Sequence, residues 1–130
     1  MRSRWVIMIH HVSLGANDMA RARAFYDAVM PHIGFRLLKS NDRAAHYGVG
    51  EIIFSIQKPL NGKPASPGNG VHVAFPVRTR SMVDAFHSEG LKHGGSSDGK
   101  PGLRPEYDAN YYGAFVLDPD GIEALTLAAK

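Results

Sequence analysis

Residues 11–34, HVSLGANDMARARAFYDAVMPHIG, and residues 72–95, HVAFPVRTRSMVDAFHSEGLKHGG, decide the fold, because the second stretch echoes the first 61 positions later. His11-Val12 returns as His72-Val73, Ala24-Phe25 as Ala85-Phe86, and Gly34 as Gly95. In each copy a β-rich run carries the histidine, a polar turn follows, then an amphipathic helix, then a glycine. Two copies of one supersecondary unit imply a pseudo-symmetric fold in which equivalent histidines can face each other.

Working outward, residues 6–14 are rich in Val, Ile and Leu and read as a strand. Asn17 and Asp18 offer side-chain oxygens to the free N–H groups of a helix start. From Met19 the apolar positions Met19, Ala22, Phe25, Tyr26 and Val29 follow helical spacing, and Pro31 and Gly34 close the helix. Strands are expected at 34–39, 43–48 and 51–57, and the Pro-, Gly- and Asn-rich segment 58–70 is the connector. The second copy begins with a strand at 71–77. Ser81 with Asp84 resembles a capping box for a helix over 82–93, which Gly94-Gly95 stops. Residues 96–109 read as a long loop, 110–117 as a strand, 118–121 (DPDG) as a turn and 122–128 as the last strand. Each copy is therefore β-α-β-β-β, the first strand after the second helix being the least marked. The fold expected is α+β: two pseudo-symmetric βαβββ modules, about 6–57 and 71–128, forming a curved mixed β-sheet cup with helices packed outside. Residues 1–130 make one domain.

Composition narrows the chemistry. With no cysteine there is no disulfide framework and no Cys-ligated metal, so metal binding must use His and carboxylates. No apolar run approaches the roughly 20 residues that span a bilayer. The basic-then-apolar start is too short in its apolar part for a signal peptide, so no membrane partner and a cytoplasmic location are expected. The net charge of +3 invites a nucleic-acid reading, but the basic residues are scattered and form no five-to-eight-residue cluster. No nucleic-acid partner is expected; mild basicity fits an anionic small molecule at least as well.

The repeat brings three residues into question. His11 and His72 occupy equivalent strand positions, and Glu123 sits near the start of the last strand, just after a tight turn. Two imidazoles and one carboxylate converging on a point suit a divalent metal (Fe, Mn, Ni, Co or Zn) and leave positions open for substrate. The alternative is a degenerate site in which the histidines hydrogen-bond substrate or each other.

The order HHVSLGANDMARARAFYD, then HVAF in a strand, then DPDG with Ile122-Glu123 just after it, resembles the vicinal oxygen chelate superfamily, from Ile7 to Leu127. That group includes glyoxalase I, extradiol dioxygenases, and fosfomycin and bleomycin resistance proteins. GLRPEYDANYYGAFVLDPDG (102–121) looks especially like its small stand-alone members. The resemblance implies metal ligands at His11, His72 and Glu123, a small-molecule substrate and a homodimer. Two departures accompany it. Four-ligand members carry a carboxylate in the last strand of the first module, where this chain has EIIFSIQ with Ile53 or Phe54 at the matching place. The turn before Glu123 is also two residues shorter than in related sequences, and one residue of slip reverses a strand residue's face.

Further candidates surround the cup. His46 is a possible acid or base, or a half-exposed strand residue. Tyr111 and Tyr112 are candidate hydrogen-bond donors for catalysis, of which at most one faces the cavity. Arg104, Tyr107 and Phe54 are candidate substrate contacts, Arg104 for a carboxylate or phosphate, unless it only braces the loop. Phe25 and Phe86 are expected in the core. The function expected is a metal-dependent enzyme of the glyoxalase or dioxygenase type chelating vicinal oxygens of a small organic substrate. The competitor is a metal-free binding or sequestering protein, and thiol transfer to fosfomycin is a third, less supported option.

Overall fold

A computed structural model describes residues 9–121 and 124–129. The first module runs β1 (Val12–Gly15), α1 (Met19–Val29), a 3-10 turn (Met30–Ile33), β2 (Arg36–Ser40), β3 (Ala44–Val49) and β4 (Glu51–Gln57). The second runs β5 (His72–Pro76), α2 (Arg80–Lys92), β6 (Ser96–Leu103), β7 (Tyr112–Leu117) and β8 (Ala124–Ala129). The two sheets repeat one order, β1-β4-β3-β2 and β5-β8-β7-β6. In each, the module's first and last strands pair parallel and the other neighbours antiparallel. The α+β fold with two βαβββ modules is the one the repeat implies.

Local chemistry explains the helices. Asp18 is extended and its carboxylate accepts from Arg21 N, so α1 starts where the N-cap reading puts it. Met19, Ala22, Phe25, Tyr26 and Val29 are the buried face. The second helix begins two residues earlier than expected. Thr79, not Ser81, is its cap: the Thr79 hydroxyl accepts from Met82 N at 3.2 Å, and the Ser81 hydroxyl is hydrogen-bonded to that of Thr79. Asp84 is turned away from the helix start and accepts from the Tyr112 hydroxyl.

The long loop expected at 96–109 is half strand. Residues 96–103 pair with β7, but the register shifts twice, between Ser97 and Gly99 and again between Gly99 and Gly102. Gly and Pro at these irregularities mask the alternation that marks a strand. The strands carrying the histidines are also shorter than expected. β1 starts at Val12, immediately after His11, and His72 is the first residue of β5. Ile122 and Glu123 lie outside the described residues.

The modules are fastened to each other through buried contacts. Phe25 of α1 packs over Gly90 and Gly95, where an added Cβ would stand 3.3 and 2.6 Å from its ring. Tyr26, fully buried, donates its hydroxyl to Asp118 at 2.8 Å. Asp120 accepts from Asn17 N at 3.1 Å and pairs with Arg21. The DPDG segment is thus more than a turn: it seats module two on the start of the first module's helix. No described helix is long and apolar enough to cross a membrane.

Candidate functional site

Both histidines of the repeat open onto one cavity of about 920 Å³. Module one contributes Ile9, His11, Val12, Phe35, Ile53 and Phe54, and module two contributes the whole of β5. The wall is built from side chains that the β pattern turns toward the partner module. Phe75 meets Phe35 edge-on at 5.8 Å and Phe54 at 5.5 Å between ring centroids. Such T-shaped contacts are favourable beyond simple burial and hold the rings in fixed planes. Among the described lining residues there is no Lys, Arg, Asp or Glu, and the imidazoles are the only side chains with polar atoms.

The environment of His11 limits which of its nitrogens can act. Its Nδ1 lies 2.9 Å from His10 Nδ1, so one of the two donates and the other accepts. His10 Nε2 stands 3.5 Å from a Glu51 carboxylate oxygen, which favours the proton on that nitrogen. In the neutral His10 tautomer with its proton on Nε2, His10 Nδ1 accepts from His11 Nδ1–H and the His11 Nε2 lone pair is left available. A histidine whose second nitrogen is held this way is oriented as metal-binding histidines are.

The registers state what stands beside each histidine. In module one the ladder begins where Val12 pairs with Phe54, one residue after His11, and Ile53 lines the cavity together with His11; in module two His72 pairs with Ala124. Ile53 and Ala124 carry no donor atom. No three His, Asp or Glu side chains among the described residues could together hold a metal ion. Two imidazoles suit a divalent metal but make an incomplete set. Glu51 is engaged with His10, and Glu123, the third ligand that the resemblance implies, lies outside the described residues.

The other sequence candidates are placed as follows. Phe54 is fully buried and lines the cavity. His46 is on β3 with its Nδ1 2.7 Å from the Ser55 hydroxyl, and it is not among the described lining residues. Arg104 donates to the carbonyls of Lys100 and Leu103 and lies over the Phe115 ring, bracing the end of β6. Tyr107 and Tyr111 stack edge-on at 5.0 Å within the same loop. Burial, then the neighbouring Tyr107, raises the Tyr111 phenol above its ordinary value. Tyr112 donates to Asp84 at 2.6 Å beneath the Arg80 guanidinium, and that hydrogen bond raises its phenol as well. Arg104, Tyr107, Tyr111 and Tyr112 form one cluster, separate from the described lining of the cup. Sequence reasoning missed the His10–Glu51 contact, which joins the residues before β1 to the start of β4 and has no periodic signature.

Comparisons with known proteins agree with this fold. The family model described as "Glyoxalase/Bleomycin resistance protein/Dioxygenase superfamily" matches residues 8–124. A crystal structure of a glyoxalase/bleomycin resistance protein from Albidiferax ferrireducens is 32% identical, with TM-score 0.86, covering 94% of this chain and 98% of that one. A glyoxalase-related enzyme from Fulvimarina pelagi superposes with TM-score 0.75 at 19% identity, covering 96% of this chain and 89% of that one. A genomically encoded fosfomycin resistance protein from Listeria monocytogenes does so with TM-score 0.67 at 14% identity, covering 97% and 95%. The last two likenesses concern the fold alone. No curated protein matches the sequence.

Proposed function

We propose a function that starts from membership: this chain belongs to the Glyoxalase/Bleomycin resistance protein/Dioxygenase superfamily. The proposed activity is that of a metal-dependent enzyme acting on a small organic molecule held in the cup. His11 and His72 would hold a divalent metal (Fe, Mn, Ni, Co or Zn) with Glu123 as third ligand. The observation that carries this reading is that two histidines 61 positions apart line a single cavity. When bound, such a metal polarises substrate oxygens as a Lewis acid. The chain's own part is to orient His11 through His10 and Glu51, and to exclude water with Phe35, Phe54 and Phe75. Because no charged side chain lines the described wall, the substrate class proposed is neutral and largely apolar, with oxygens to offer the metal. A homodimer and a cytoplasmic location complete the proposal.

A second reading, a metal-free binding or sequestering protein, is favoured by the apolar Ile53 in the wall that His11 shares and by Ala124 at the register position of His72. Elemental analysis of protein purified without chelator separates the two, alongside melting with each of the five metals for the natural chain and for His72→Ala and Glu123→Gln. The metal reading expects one equivalent per chain and a metal-dependent rise in Tm that both variants lose. No stoichiometric metal and no such rise would leave the metal-free reading in its place. Sedimentation equilibrium checks the dimer.

A further inference from the structure

The connector that the function leaves unused closes a second cavity with opposite character. It has a volume of about 510 Å³ and is lined by Ala16, Asn17, Arg43, Lys58, Lys63 and parts of the 59–64 turn. Its three cations come from two segments: Arg43 from the β2–β3 turn, and Lys58 and Lys63 from the connector. None of them is in an ion pair among the described residues, and no carboxylate is among the described residues lining it. The carboxylates adjoining Asn17 are otherwise engaged: Asp18 caps α1, and Asp120 is paired with Arg21 and the Asn17 N–H. Asp42 adjoins Arg43 in sequence but does not line the cavity.

Hydrogen bonds at both ends hold the connector in place. Lys58 N donates to Arg43 O at 2.9 Å, and an Arg43 Nη donates to Pro59 O at 3.5 Å, laying the guanidinium along the connector. Gly62 N closes a turn onto Pro59 O, and Lys63 N donates to the Asn61 side chain. At the far end the Asn17 side chain clasps residue 65, accepting from Ala65 N at 2.7 Å and donating to Ala65 O at 3.3 Å. Three like charges held around one concavity repel one another unless an anion sits between them. An adjoining cleft of about 340 Å³ shares Pro59 and Pro64 and offers Ser13, Gln57, Asn61 and Ser66, groups that hydrogen-bond an uncharged polar body.

We propose that this cleft is a binding site for a small phosphate ester, the phosphate between Arg43, Lys58 and Lys63 and its polar body in the adjoining cleft. No residue lines both this cleft and the cup. Ala16 and His11 are five residues apart along an extended chain, roughly 16 Å. The site therefore does not depend on the metal reading.

The test is a titration of ¹⁵N-labelled natural chain at low ionic strength with inorganic phosphate, a hexose phosphate and citrate, with sodium chloride matched for ionic strength. Saturable shifts at Asn17, Gly62 and Lys63 are expected, larger in affinity for the hexose phosphate than for phosphate or citrate. Arg43→Gln and Lys63→Gln should each weaken binding about tenfold, as loss of one charge-assisted contact does. His72→Ala should leave it unchanged. Shifts that sodium chloride reproduces, or that never saturate, would overturn the site. Citrate binding as well as the hexose phosphate would overturn the phosphate-ester assignment.

Discussion

Replacing Gly95 with alanine tests whether the modules are docked as described. An added Cβ would stand 2.6 Å from Phe25 Cε1, 2.8 Å from Leu117 O and 2.9 Å from Gly90 O. Two of these neighbours are backbone oxygens, which cannot swing aside. Overpacking of this kind costs about 3 kcal/mol, the upper end of the usual range. For a domain of this size that lowers Tm by about 12 °C, at roughly 4 °C per kcal/mol. Gly34, its counterpart in the repeat, serves a different need. It has φ +85° with nothing within 4 Å of an added Cβ, so Gly34→Ala costs only the left-handed strain, about 1.5 kcal/mol. The decisive measurement is a double-mutant cycle by thermal and urea unfolding with Phe25→Leu. Gly95→Ala should couple to Phe25→Leu by more than about 0.5 kcal/mol, because shortening the ring removes one of the three clashes. Gly34→Ala should be additive with it. Additivity for both glycines, or a Gly95→Ala chain that melts within two degrees of the natural one, would refute the docking argument.

Three other outcomes are expected. Tyr26→Phe removes a hydrogen bond to the buried Asp118 carboxylate and should cost about 1.5–3 kcal/mol in urea unfolding. Burial, then the hydrogen bond to Asp27, pushes the Tyr47 phenol far above its ordinary value of 10.0. Its stabilisation is therefore complete below about pH 10 and lost as pH rises toward the folded-state value, so Tyr47→Phe should flatten the alkaline fall of Tm. If the cup holds a metal, Glu51→Gln should weaken its binding about tenfold by loosening the His10–His11 orientation, read by competition with a chelator; unchanged affinity would deny Glu51 that role.

The fold was legible because its signal is repeated: two histidines, two amphipathic faces and two glycines at one offset describe two copies of a module whichever detail is misread. What stayed hidden is what a single strand conceals. β6 carries Gly99, Pro101 and Gly102, and its register slips where they fall, so its pairing with β7 has no alternation to betray it. The cap of α2 was misplaced because Ser81 and Asp84 have the right spacing, whereas Thr79 has the extended backbone that a cap requires. At the site, the convergence of His11 and His72 followed from symmetry. The tyrosine and arginine candidates had only proximity in sequence behind them, and the hydrogen bonds of Tyr112 and Arg104 lead to α2 and to the β6 backbone.

The distribution of charge sharpens what the cup can take. A net charge of +3 first suggested an anionic ligand without saying where on the molecule it would sit. The structure separates the two properties along β1. At its start lies a wall of phenyl and aliphatic groups with two imidazoles; at its end lies a cleft with three cations. In the metal-free protein a carboxylate or phosphate entering the cup would lose water and gain no ion pair from the described wall, a desolvation cost of several kcal/mol. The same group entering the basic cleft would be paired at once. With metal removed by chelator, neutral catechol-like or diketone-like probes should therefore protect the cup against thermal unfolding while anionic analogues of the same size do not. The reverse ranking would mean that the wall described here is not the surface the substrate meets.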